Sequence, residues 1–91
     1  MREKLKRQLA EFFEDFDEIG VLFPSSDQLN KMDLEEMLKV LYSVGDLKGR
    51  IIILQEFFES EDRLRIASST LESYFKIVST KVQLEFFNKG T

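Results

Sequence analysis

Apolar residues recur every three or four positions through most of this 91-residue chain, and this spacing constrains the fold more than any other feature. A helix gathers residues at such spacing on one face, whereas a half-buried strand alternates apolar and polar residues. The spacing therefore predicts an all-α domain of amphipathic helices. The longest series comprises Leu34, Met37, Leu41, Val44, Leu47, Ile51, Leu54 and Phe58.

The first third of the chain predicts one helix followed by a linker. An apolar stripe runs through a helix at about 2–19, and we expect Gly20 to end it. Pro24 forbids helix continuation, which places a linker at about 20–32. Within this linker a capping-box pattern at 25–28 indicates one short helical turn. The stripe comprises Leu5, Leu9, Phe12, Phe16 and Ile19.

The remainder predicts a helical hairpin at about 33–59 and a last helix at about 61–87. Together the segments form a single helical domain spanning 1–91. Its expected architecture is an antiparallel bundle of three long or four shorter helices. A helix from 61 to 87 is about 40 Å long at 1.5 Å per residue, so we expect an elongated molecule.

Two glycines leave the middle of the hairpin open to two interpretations. Gly45 and Gly49 lie within the apolar series, and each interior glycine costs about 1 kcal/mol in a helix relative to Ala. Either one long helix passes through them, or the chain breaks at 45–46 into two helices. The segment Leu41-Tyr42-Ser43-Val44-Gly45-Asp46 resembles the first-helix end and turn of a tetratricopeptide hairpin. This resemblance implies a helical hairpin.

A small sheet is the alternative fold. The tail also has the two-residue period of a half-buried strand. One alternating set is Val78, Thr80, Val82, Leu84 and Phe86, and the other is Ser79, Lys81, Gln83 and Glu85. Segments near 19–23, 50–54 and 77–86 could then form an α+β fold. These segments lack the turn residues that hairpins require, so the helical bundle is favoured.

Catalytic and metal chemistry is not expected. The chain contains no Cys and no His, which removes disulfides, zinc fingers, thiolate nucleophiles and imidazole bases. The run from Asp15 to Gly20 matches three positions of an EF-hand loop, but Ile19 and Ser26 stand where ligands are required. We therefore predict no enzyme activity, no cofactor, no metal and no small-molecule substrate.

The charge balance constrains the partner. A net charge of −4 disfavours nucleic acid as the main partner, since binding to phosphates needs a basic face. No apolar run approaches the roughly 20 residues of a membrane span. Acidic residues follow the basic start of the chain, so a secretion signal is not expected. We expect a cytoplasmic location. The residues that could contact nucleic acid are Arg63, Arg65, Lys76 and Lys81.

Charges are ordered unusually in the first helix. Basic residues crowd its start and acidic residues its end, which is unfavourable for the helix dipole. An antiparallel partner helix would turn this order into attraction and set its orientation. These orienting charges are Arg2, Lys4, Lys6, Arg7, Glu11, Glu14, Asp15 and Glu18.

Aromatic residues are the candidate partner-binding anchors, because aromatic side chains dominate interface hot spots. The functional hypothesis is a non-catalytic interaction module that binds another protein or itself through apolar helix faces, as a small adaptor, an assembly or secretion chaperone, or a complex subunit. The alternative is a small acidic inhibitor or immunity-type protein that blocks a basic site. The anchors are Phe12, Phe13, Phe16, Phe57, Phe58, Phe86 and Phe87.

Overall fold

The computed structural model describes residues 2–89, and it describes the side chains of 2–87. Four helices account for nearly all of this region: α1 (Arg2–Leu22), α2 (Ser26–Lys31), α3 (Leu34–Phe57) and α4 (Asp62–Lys89). The predicted all-α antiparallel bundle is confirmed, with three long helices and one short one. Residues 2–89 contain no strand, so the small sheet is wrong. Its three segments lie almost entirely within α1, α3 and α4.

The helix ends follow local chemistry, with one correction. α1 continues through Gly20 to Leu22, so the expected stop at Gly20 is wrong. Pro24 provides the stop instead, since it disfavours helical geometry at Phe23.

Side-chain caps start the next two helices, and the first is the capping box that the sequence predicts at 25–28. At α2 the Ser25 hydroxyl accepts a hydrogen bond from the Gln28 N–H, and the Gln28 side chain accepts one from the Ser25 N–H at 2.9 Å. At α3 the Asp33 carboxylate accepts the Glu36 N–H at 2.8 Å. Each cap pairs backbone donors that the helix itself leaves unsatisfied.

α3 is one continuous helix, so the break at 45–46 and the turn implied by the tetratricopeptide resemblance do not form. Neither Gly45 nor Gly49 has a positive φ angle. Val44 and Leu47, on either side of Gly45, are buried in the core. Their burial against α1 and α4 outweighs the poor helix propensity of the glycines.

α3 runs antiparallel to both α1 and α4. Asp15 near the end of α1 contacts Arg50 in the second half of α3. Phe23, just after α1, stacks on Tyr74 of α4 at 3.9 Å between ring centroids. α1 therefore covers the part of the α3–α4 hairpin near its turn, and α2 covers the other part.

The core has two centres along the hairpin. The larger lies beneath α1, and the smaller lies beneath α2. The buried residues of the first are Phe12, Val44, Leu47, Ile51, Leu54, Leu64, Ala67 and Leu71. Those of the second are Leu29, Met37, Val78 and Val82.

The molecule is a rod of 51 × 21 × 19 Å. Its radius of gyration is 15.0 Å, larger than the about 12 Å of a compact chain of this length. The elongation expected from the length of the last helix is thus present, and it leaves a large lateral surface for its volume.

Candidate interaction surface

Four of the seven predicted anchors belong to the core. Phe12 is fully buried and therefore cannot serve as a surface anchor. Phe13 and Phe16 pack around it, with ring centroids 5.4 Å and 5.9 Å from that of Phe12. Phe58 packs against the same core. Phe13, Phe16 and Phe58 are thus partly buried and Phe12 is fully buried, because the aromatic stripe of α1 packs against α3 and α4.

The other three anchors are exposed but lie apart. Phe57 ends α3 at one end of the rod, while Phe86 and Phe87 lie near the end of α4 at the other. Because the helices are antiparallel, these side chains are separated by most of the length of the hairpin. They do not form one surface.

One acidic residue near the end of α1 forms an ion pair within the chain. The Arg50 side chain donates a hydrogen bond to Asp15 at 2.8 Å, linking the acidic end of α1 to α3. The Arg63 guanidinium lies 4.4 Å from the centre of the Phe13 ring. Its hydrogen bond to Glu61 raises the pKa of Arg63, and the negative charges of Glu61 and Asp17 act in the same direction. Among the eight orienting charges, Asp15 is thus paired within the described chain.

The remaining orienting charges lie on the surface. Each is exposed and makes no ion pair within the described part of the chain. On α1 the basic start precedes the segment that packs on the core, and the acidic residues lie within that segment on its exposed side. These residues are Arg2, Lys4, Lys6, Arg7, Glu11, Glu14 and Glu18.

Most of the basic residues that could contact nucleic acid make contacts with other side chains of the chain. Arg63 pairs with Glu61, and Arg65 pairs with Asp62. Lys81 donates a hydrogen bond to Asn30 of α2. Three of these four basic side chains therefore already have a partner within the described chain.

The outer side of α3 carries several exposed apolar residues. Tyr42 is 80% exposed, Ile52 60% and Ile53 57%, and Leu38 is also exposed. With Gly45 and Gly49 they form the surface named here the α3 outer face. The sequence contains a signal for this face. It is a second apolar series at three- and four-residue spacing, on the side of α3 opposite the buried series. Sequence reasoning missed it because the predicted anchors were all phenylalanines.

A groove between α1 and α3 borders this face. Its volume is about 290 Å³. Ile19, Leu22 and Tyr42 give it apolar walls, and the carboxylates of Glu18 and Asp46 line it as well. Together the α3 outer face and the groove offer an apolar surface with an acidic edge.

Residues 2–89 hold no cluster of three or more acidic side chains placed to bind a metal ion. None of the four described helices is long and apolar enough to cross a membrane. Comparisons with known protein families, curated proteins and solved structures find no match to this chain. The function is therefore inferred from geometry.

Proposed function

We propose that this chain is a non-catalytic protein–protein interaction module that binds through the α3 outer face and the adjoining α1/α3 groove. The observation that carries the proposal is the exposure of Tyr42, at 80%, in the middle of an apolar helix face. An aromatic ring in such a position loses solvent contact only when a partner covers it.

The fold does not require these side chains. The opposite side of α3 packs in the core, where Val44, Leu47 and Ile51 are buried. Tyr42, Ile52 and Ile53 could be polar without loss of core packing, and single exposed apolar residues are common on proteins. Several on one helix face, beside a groove, mark a binding surface.

Site-specific photo-crosslinking in the native host tests the proposal. A photoreactive amino acid replaces Tyr42 in one variant and Ile66 in a control variant. Ile66 is a suitable control because it is 66% exposed on α4, away from the groove. We expect a discrete adduct from position 42 and none from position 66. Absence of an adduct at 42, or equal adducts at both positions, would refute the proposal.

A second candidate is an acidic inhibitor that blocks a basic site on a partner. The exposed stripe of Glu11, Glu14 and Glu18 on α1 supports it, because these carboxylates have no ion pair in the described chain. Salt separates the two functions. Binding through the acidic stripe weakens steeply as ionic strength rises, whereas binding through the apolar face persists.

A further inference from the structure

We propose that the occupant of the α3 outer face is a second copy of this chain, bound by antiparallel pairing of the two α3 helices. This inference rests on the proposed function and adds the identity of the partner. A two-fold axis crosses the α3 outer face at the level of residues 43–44, so that each contact occurs twice.

Complementary charges select this level for the axis. The axis places Lys39 of one copy beside residues 46–48 of the other, where three carboxylates and one guanidinium give the groove a net negative charge. These residues are Asp15, Glu18, Asp46 and Arg50. Lys39 is exposed and makes no ion pair among residues 2–87. Opposite charges at such positions fix the orientation and register of an interface.

The same axis brings exposed apolar side chains together. Leu22 is 69% exposed and lines the groove with Tyr42, close to the axis, so the Leu22 side chains of the two copies meet there. Tyr42 lies opposite Gly45 of the second copy, and Leu38 lies opposite Gly49. A Cβ atom at either glycine would meet nothing within 4 Å in the single chain, so both positions offer open space to a neighbouring side chain.

Charge disfavours the neighbouring register. Moving the axis by one helical turn, to the level of Leu47, places Gly45 opposite Gly49. That arrangement also brings Asp46 against Asp46 and Lys48 against Lys48, and like charges facing each other oppose association.

The extent of the pairing indicates a weak dimer. The paired segments run from Leu34 to Ile53 on each copy, about 30 Å of helix at 1.5 Å per residue. One pair of helices with two short groove contacts falls at the small end of specific interfaces. We expect a concentration-dependent equilibrium with a micromolar Kd.

Sedimentation equilibrium of the full chain and of charge-swapped variants tests the register. Lys39→Glu alone weakens self-association, and so does the double variant Glu18→Lys with Asp46→Lys, each by at least about tenfold. Mixing the two variants restores dimers, because each copy then faces opposite charges. Lys76→Glu, an exposed charge on α4, is the matched control and leaves the Kd unchanged. A monomer at all concentrations, or no recovery in the mixture, overturns the inference.

Substitution of the two glycines separates an effect on self-association from an effect on helix stability. The double variant Gly45→Ala with Gly49→Ala raises the thermal midpoint of the dilute monomer, because alanine favours the helix. The same variant lowers self-association, since Tyr42 and Leu38 lose their open space. A variant that is more stable and dimerises equally well overturns the proposed contact.

The two proposals fail separately. A chain that stays monomeric but crosslinks to a different protein from position 42 overturns the second-copy inference and retains the interaction surface. A chain that neither dimerises nor crosslinks from position 42 overturns both.

Discussion

Arg50 on α3 donates a hydrogen bond to Asp15 on α1 at 2.8 Å, and its guanidinium also lies 3.6 Å from Asp46. This contact joins the acidic end of α1 to the second half of α3, 35 positions later in the chain. Asp15, which is unfavourable near the end of α1 as an isolated helix, thereby gains a cationic partner in the bundle. Sequence periodicity cannot reveal this, because the pairing depends on which helices are neighbours.

The first prediction concerns this ion pair. Replacing Arg50 with Met removes a bond whose side chains are partly exposed, 33% for Arg50 and 50% for Asp15. Exposed pairs contribute little, so we expect a loss of less than about 1 kcal/mol in the free energy of unfolding. Urea denaturation of Arg50→Met, Asp15→Asn and the double variant measures the coupling. Additive losses would show that the pair contributes no interaction energy.

The second prediction compares Phe12, in the core, with Phe57, on the surface. Phe12 is fully buried in the larger core, and its replacement by Ala should cost about 3–5 kcal/mol in unfolding free energy. Phe57 is 57% exposed, and Phe57→Ala, the matched control, should change stability by no more than about 0.5 kcal/mol. Chemical denaturation of both variants measures the difference. Equal losses would contradict the assignment of Phe12 to the core.

Much of the fold could be predicted from spacing alone. Buried or partly buried side chains recur at three- and four-residue steps on α1, α3 and α4. The caps at Ser25 and Asp33 use short polar side chains with local reach. These signals are local, so the sequence contains them. The errors at Gly20 and Gly45 arose because helix propensity is weak beside tertiary packing and beside the constraint from Pro24.

The candidate site was less predictable. Aromatic residues qualify equally as core and as anchors, and only the packing of α1 shows that Phe12 is covered while Tyr42 is not. A face is exposed because of where its neighbours lie, which depends on contacts between distant segments. The second apolar series on α3 was visible, but nothing in the sequence said which of the two series faces the core.

The cap of α2 should contribute to stability. Ser25→Ala removes the hydroxyl that accepts the Gln28 N–H, and we expect a loss of about 1 kcal/mol. α2 covers the smaller core through Leu29, so hydrogen exchange should rise in α2 before it rises in α1. Exchange mass spectrometry measures this order. Ser26→Ala, one position along and not the cap, is the control and should leave exchange unchanged.

The last prediction concerns Gly20. The sign of the stability change on its replacement by Ala indicates where α1 ends. Gly20 lies inside α1 without a positive φ angle, and a Cβ atom there would meet nothing within 4 Å. Gly20→Ala should therefore raise the free energy of unfolding, by up to about 1 kcal/mol, because alanine favours the helix and restricts the unfolded chain. If the helix ended at Gly20 in a left-handed conformation, the same substitution would lower stability. Urea denaturation gives the sign, and a fall would move the end of α1 back to the position expected from sequence.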